Sequence, residues 1–188
     1  RPESRNAMNL NMVNAIQQVF AAIRDDLSIR AVIIRGEGAT FCAGGDIKDM
    51  AALRVEAANV GSLQPYVDFN RRFGAMIEQV DQAPQTVVAI LEGAVLGGGF
   101  GLAQACHIVV SSEKSRFAMP ETAIGFFPDV GATHFLSRLD DIGVYMAITG
   151  EQISSSDALY LDLIDYHVPS DQLQALQDAL VEAPSLSK

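Results

Sequence analysis

Five apolar residues, Met12, Ile16, Val19, Phe20 and Ile23, recur at helical spacing and predict an amphipathic helix from about Asn9 to Ile29, with Asp25 and Asp26 near its end. Ala31-Val32-Ile33-Ile34-Arg35 is a short apolar run rich in β-branched residues and reads as a buried strand. A Gly-rich loop from Gly36 to Gly45 follows, and a helix is expected to open near Asp46. Tyr66 to Val80 reads as a second long helix, Pro84 ends that region, and Thr86 to Leu91 is the next buried strand. Gly97-Gly98-Gly99 leads into Phe100–Cys106, expected as a buried helix. Ile108–Val110 and Arg116–Ala118 read as a third and a fourth strand.

Beyond Asp129 the pattern is helical, with breaks at Gly143, at Gly150 and at Ser154–Ser156, where the serines offer an N-cap for Asp157 to Leu161. Ile164 to Val168 is expected as a short closing strand. Ser170 and Asp171 are expected to cap a last helix, and the tail after Ala183 to fray. Strands alternating with helices imply an α/β architecture of sheet and helix layers. The 188 residues, 49% of them hydrophobic, suit one well-cored domain over 1–188 with no internal repeat.

The net charge of -10 argues against a nucleic-acid surface, which needs clustered Lys and Arg. It leaves room for an anionic small ligand held by a few local donors. Cys42 and Cys106 sit in apolar or Gly-rich segments and are expected as buried thiols rather than a disulfide, which points to a reducing compartment. No apolar run approaches the roughly 20 residues that cross a bilayer, and no signal-peptide pattern is present. The opening Arg1-Pro2-Glu3-Ser4, without a Met or a preceding strand, reads as the start of a piece of a longer chain.

Two glycine clusters follow apolar strands: Phe41-Cys42-Ala43-Gly44-Gly45-Asp46, and Gly93 through Gly97-Gly98-Gly99. Such turns let a ligand approach the backbone closely, and N–H groups from two loops can converge on one oxygen. The alternative is two tight turns with close helix packing. Neither cluster has the Gly-Lys-Ser/Thr of a phosphate loop or the acidic partner of a dinucleotide site. A third segment, Met119-Pro120-Glu121 through Pro128-Asp129-Val130-Gly131, sets two carboxylates among apolar residues. Desolvation there would raise a carboxyl pKa into the working range of a general acid or base. Glu121 and Asp129 read equally well as caps or turn residues, with Asp129 a candidate N-cap. His107, His134 and His167 share no metal-ligand spacing, so no metal is expected. No Gly-x-Ser-x-Gly elbow appears.

Together these segments resemble the crotonase (enoyl-CoA hydratase/isomerase) superfamily over nearly the whole chain. Arg1-Pro2-Glu3-Ser4-Arg5-Asn6-Ala7-Met8-Asn9 resembles its early RPxxxNAxN segment. Phe41 to Asp46 resembles its F-[CS]-A-G-x-D loop, and Gly97-Gly98-Gly99 its GGG turn. The resemblance implies a crotonase-like (ClpP/crotonase) spiral of repeated ββα units, here lacking parts of the N-terminal strand region and the C-terminal helical region. It also implies an acyl-CoA substrate, with no cofactor beyond the coenzyme A that is part of it. The backbone N–H groups of Gly45 and Gly98 would form the oxyanion hole. Ala43, Asp46, Ile47 and Lys48 would line the coenzyme A side, with Arg5 near the phosphates. A homo-oligomer, trimer or hexamer, is implied as well.

Hydratases of this family use two glutamates. The first falls at Gly101, which can neither hold nor activate water, and the second at Glu121. The segment from Met119 to Gly131, with Gly-Gly-Gly-x-Gly-Leu at the turn, instead resembles the 3-hydroxyisobutyryl-CoA hydrolase branch. That branch implies roles for Gly98, Glu121 and Asp129. A further acidic residue of some members has no counterpart near Arg72–Phe73. The expectation is therefore hydrolysis of a short 3-hydroxyacyl-CoA. The rivals are hydration or isomerisation of an enoyl-CoA through Glu121 alone, and a non-catalytic coenzyme A-binding or assembly protein. The expected compartment is the bacterial cytoplasm, or the mitochondrial matrix in a eukaryote.

Overall fold

A computed structural model describes residues 1–183 of the chain, so the expected fraying after Ala183 lies outside the described residues. Helix α1 (Leu10–Ile23) starts where the Asn9 side chain accepts a hydrogen bond from the Met12 N–H at 3.0 Å. It ends at Ile23 rather than Ile29. The Asp26 carboxylate accepts from the Ser28 N–H (2.9 Å) and hydroxyl (2.6 Å), a local turn that competes with the helical bonds. Strand β1 (Ala31–Arg35) follows as expected, and Asp46 caps α2 (Ile47–Val60) by accepting from the Lys48 N–H. The predicted second long helix is α3 (Gln64–Asp81), with Pro65 in its first turn, where no intrahelical N–H is needed.

Strands β2 (Thr86–Leu91) and β3 (Ala94–Leu96) are consecutive but belong to different sheets, and α4 (Gly98–Gln104) follows at once. The same order recurs in β4 (Ile108–Ser111) and β5 (Arg116–Ala118), followed by a 3-10 turn over Pro120–Ile124. Earlier, β1 is followed by an isolated bridge between Cys42 and Val95 and then α2. This is the expected ββα repetition: one strand to each sheet, then a helix. β3 itself is too short and too Gly-flanked for the period-2 pattern to reveal it.

After α5 (Ala132–Leu136), α6 runs unbroken over Asp140–Thr149, so Gly143 does not break a helix. A Cβ there would run into the Leu136 carbonyl, and the glycine instead lets α6 lie against that backbone. Gly150 ends α6 in a left-handed conformation. Strand β6 (Ile153–Ser154) leads into α7 (Ser155–Tyr160), which Ser154 and Asp157 close with a reciprocal capping box. The closing strand β7 is only Tyr166–His167. A 3-10 turn over Ser170–Gln172 precedes α8 (Leu173–Glu182). Neither Ser170 nor Asp171 caps that helix with its side chain, and the Ser170 N–H is taken by the Glu113 carboxylate at 3.0 Å.

The larger sheet has the order β1-β2-β4-β7, all parallel. The smaller has β3-β5-β6, with β3 and β5 parallel and β6 antiparallel. Alternation along β2 divides the core. Val87, Ala89 and Leu91 face a large cluster that includes Val13, Phe73, Met76 and Phe100, while Val88 and Ile90 pack with Leu173, Leu176 and Leu180 of α8. Both faces of the parallel sheet are thereby covered, which is why β2 reads as a continuous apolar run. Cys42 and Cys106 are buried free thiols whose pKa values burial pushes up to about 11 and about 12, so both are inert as nucleophiles at neutral pH. No helix among the described residues is long and apolar enough to cross a membrane.

Candidate active site

The two glycine clusters meet. Phe41 and Cys42 donate their N–H groups to the carbonyls of Glu92 (2.8 Å) and Ala94 (3.0 Å), and Leu96 donates to Cys42 (3.0 Å). On its other side the first loop is held to the N-terminal segment, with the Met8 N–H on the Gly44 carbonyl (2.8 Å) and the Asp46 N–H on the Met8 carbonyl (2.9 Å). Loop and β3 lie so close that a Cβ on Gly44 would stand 3.0 Å from the Leu96 carbonyl and 3.5 Å from the Gly98 nitrogen. Among the described residues, neither the Gly45 nor the Gly98 N–H has a hydrogen-bond acceptor. Two free donors on facing, mutually stapled loops can receive a single oxygen.

Glu121 reaches the same place from the third segment. Strand β5 pairs in parallel with β3, and the Gly97 N–H donates to the Ala118 carbonyl at 2.9 Å, so the turn after β5 opens beside the GGG turn. The Glu121 carboxylate lies over Gly97 so closely that a Cβ there would collide with Oε1. Gly97 also holds a positive φ of 49°. Glu121 is 8% exposed, and its Oε2 is buried without a hydrogen-bond partner. Burial first, and the nearby Asp129 charge second, push its pKa up to about 7. The reading of Glu121 as a mere cap fails, because its side chain caps nothing.

Asp129 does not cap α5, which begins after Gly131 without any side-chain cap. Its backbone carbonyl accepts from the Ala132 N–H at 2.8 Å, while its carboxyl lines the cleft and is raised in pKa by burial. The cleft, about 280 Å³, is lined by both glycine loops, by Glu121 and Asp129, and by Phe69, Asn70 and Phe73 of α3. It opens through the shared residues Ile47, Met50, Ile124 and Phe126 into a second space of about 670 Å³ between α2 and α3.

Of the other candidate residues, Ala43 and Ile47 line the cleft. Asp46 does not. It is buried, caps α2 and pairs with Arg1 at 2.9 Å. Lys48 and Arg5 are exposed and line neither the cleft nor the second space; Lys48 follows Ile47 in the chain, and the Arg5 carbonyl accepts from the Ala43 N–H at 3.0 Å. His107 is structural, its Nδ1 accepting from the Val87 N–H at 2.9 Å. Among the described residues no group of three or more His, Cys, Asp or Glu is placed to hold a metal ion. Lining residues that the sequence does not single out include Met50, Phe69 and Asn70. Asn70 is detectable as a polar residue beside the apolar stripe Phe69-Phe73-Met76-Val80; Met50 carries no local signal.

Comparisons with known proteins bear on the family and the fold. The family model for enoyl-CoA hydratase/isomerase matches residues 1–187. The mitochondrial 3-hydroxyisobutyryl-CoA hydrolase of Xenopus laevis is 39% identical over 100% of this chain, and the probable 3-hydroxyisobutyryl-CoA hydrolase 3 of Arabidopsis thaliana 36% identical over 98%. The chain spans about half the length of these curated relatives, 48% of each. A crystal structure of an enoyl-CoA hydratase/isomerase from Marinobacter aquaeolei superposes with a TM-score of 0.85 and 38% identity, covering 97% of this chain and 70% of that one. With sequence, fold and a family model over nearly every residue in agreement, the chain belongs to the enoyl-CoA hydratase/isomerase family, the crotonase superfamily.

Proposed function

We propose that the full-length protein hydrolyses the thioester of a short, branched 3-hydroxyacyl-CoA such as 3-hydroxyisobutyryl-CoA. The observation that carries this reading is the unpaired, buried Oε2 of Glu121, with a pKa of about 7, beside two unpaired backbone donors. Relatives that bear the hydrolase name support the choice of substrate.

The Gly45 and Gly98 N–H groups receive the thioester oxygen as the carbonyl becomes tetrahedral, each donor contributing about 2.7–4 kcal/mol to the transition state. Two routes use the one carboxylate. As base, Glu121 takes a proton from water while the water oxygen bonds to the carbonyl carbon. Collapse then breaks the C–S bond, and the thiolate leaves with that proton. As nucleophile, Glu121 bonds to the carbonyl carbon itself and expels the thiolate, and water then cleaves the resulting anhydride. Asp129 orients the water or the substrate hydroxyl. Ala43 and Ile47 line the path of the coenzyme A arm, and the exposed cations Lys48 and Arg5, near these residues in the chain or by backbone bond, are proposed to meet its phosphates. Coenzyme A enters as part of the substrate, and the chemistry calls for no further cofactor.

Hydration through Glu121 is the weaker reading, since among the described residues Asp129 is the other carboxylate lining the cleft and Gly101, closed off by Val130, offers none. Exposed Ile142, Val144, Tyr145 and Ile148 on α6 support self-association, with a trimer or hexamer as the proposed state. A place in valine breakdown follows from the proposed acyl group, and the mitochondrial matrix from a eukaryotic source.

The test is free-thiol release from 3-hydroxyisobutyryl-CoA by the full-length protein, run beside Glu121→Gln and beside crotonyl-CoA hydration. Release that vanishes in Glu121→Gln is expected; hydration without thiol release overturns the proposal. Hydroxylamine trapping separates the two routes, because only an anhydride leaves a hydroxamate on Glu121.

A further inference from the structure

We propose that Asn70 reads the substrate's 3-hydroxyl, its carboxamide N–H donating to the hydroxyl oxygen while Asp129 accepts the hydroxyl proton. The inference rests on the hydrolase reading and deepens it, because it names the residue that would select a hydroxylated acyl group.

Helix α3 presents Tyr66, Phe69, Asn70 and Phe73 at i, i+3, i+4 and i+7 to one side, and all four line the cleft or its extension. Phe69 and Phe73 are each 5% exposed, and the stripe continues inward through Met76 and Val80. Asn70 flanks this stripe, a polar residue on the side of α3 that meets the cleft. Its carboxamide has no hydrogen-bond partner among the described residues. A half-buried amide on the cleft wall with no partner in the protein is free to bond whatever enters the cleft.

The chemistry of the cleft narrows what that something is. The polar side chains lining it are Asn70, Glu121 and Asp129. Glu121 is committed to the carbonyl end, beside Gly97 and Gly98. Asp129 lines the same cleft, close enough for its charge to act both on Glu121 and on the Tyr66 phenol one turn before Asn70. Asn70 and Asp129 thus line one cleft, one offering a neutral N–H donor and the other a carboxyl acceptor. A hydroxyl needs both at once, since it gives one proton and takes another. A bare alkyl chain satisfies neither and leaves two polar groups unpaired, which is how a site built for a hydroxyl rejects its deoxy analogue.

The experiment compares thiol release from 3-hydroxyisobutyryl-CoA and from isobutyryl-CoA by the full-length protein and its Asn70→Ala and Asn70→Leu variants. Both variants are expected to lose about tenfold in kcat/KM on the hydroxylated thioester, mainly through KM, with isobutyryl-CoA turnover little changed. Asn70→Leu, which fills the stripe with an apolar side chain, is expected to keep or raise the thermal midpoint. An equal fall on both substrates, or no change on either, overturns the assignment. Dissociation constants of the two thioesters on a Glu121→Gln background decide Asn70 apart from the chemistry. A preference for the hydroxylated ligand that Asn70→Leu abolishes supports the proposal even if the wild type releases no thiol. A preference that survives Asn70→Leu, or no preference to begin with, refutes it.

Discussion

Val130 fills the space that a side chain at position 101 would need. A Cβ built on Gly101 would stand 2.5 Å from Val130 Cγ2 and 2.6 Å from the Val130 carbonyl oxygen, and Val130 itself holds a positive φ of 46°. The position where hydratases of this superfamily carry their first glutamate is therefore closed by packing as well as emptied by sequence. Glu78 and Asp81 do share a separate cavity with Gly101, but both are exposed and neither lines the cleft. Among the described residues Val130 alone lines both cavities, and it stands between them.

Restoring the missing glutamate is therefore expected to fail. Gly101→Glu forces the chain against a carbonyl that cannot yield, and overpacking of this kind costs about 1–3 kcal/mol or more. The variant should melt earlier than the wild type and gain no crotonyl-CoA hydration. A folded Gly101→Glu protein that hydrates crotonyl-CoA would show that Val130 moves aside, and the steric account would fall.

The pKa of Glu121 sets two pH dependences. Its folded value, about 7, lies above the ordinary 4.5 because burial disfavours the charged form. The unfolded chain thus loses its proton first as pH rises, and the stability linked to this proton, complete below pH 4.5, is lost between pH 4.5 and about 7. Denaturant unfolding across that window should show a fall that Glu121→Gln flattens. Thiol release needs the ionised carboxylate in either route, so kcat/KM should rise through pH of about 7.

Asp129 contributes to that value, because its negative charge raises the Glu121 pKa after burial has done most of the work. Asp129→Asn should shift the ascending limb of the kcat/KM profile to lower pH as well as lower the rate. A rate loss with an unmoved limb would separate Asp129 from Glu121 electrostatically.

Much of this site was legible in the sequence because glycine and isolated carboxylates are costly in their settings. Gly97 and Gly98 are required by Glu121 and Phe73, and Glu121 stands out as a charge in an apolar run. What stayed hidden was set by distant contacts. Buried Asp46 is paired with Arg1, far away in the chain, and its N-cap role could be suspected only from the helix start. Gly143 looked like a break because its reason, the Leu136 carbonyl, belongs to the preceding helix. Strand β3 escaped because three residues cannot display a period of two.

Gly98 offers the sharpest test of the backbone donors, since no side chain can be deleted there. A Cβ at this position would stand 2.6 Å from Phe73 Cζ and 3.1 Å from Cε1, in a core where Phe73 is 5% exposed and packs beside Phe69 at 6.1 Å. Gly98→Ala must therefore displace either the ring or the turn. The ring is buried and packs against Phe69, so the turn, and with it the N–H direction, is expected to shift. A misdirected donor behaves as a lost one, and thiol release should fall about 10²–10³-fold in kcat. Shrinking the obstacle should reverse this. In the double variant Gly98→Ala with Phe73→Leu the methyl has room, and kcat should recover to near that of Phe73→Leu alone, a strong positive coupling between adjacent residues. If the double variant is no faster than Gly98→Ala, the loss does not come from the clash with Phe73, and the placement of the Gly98 donor by that contact is wrong.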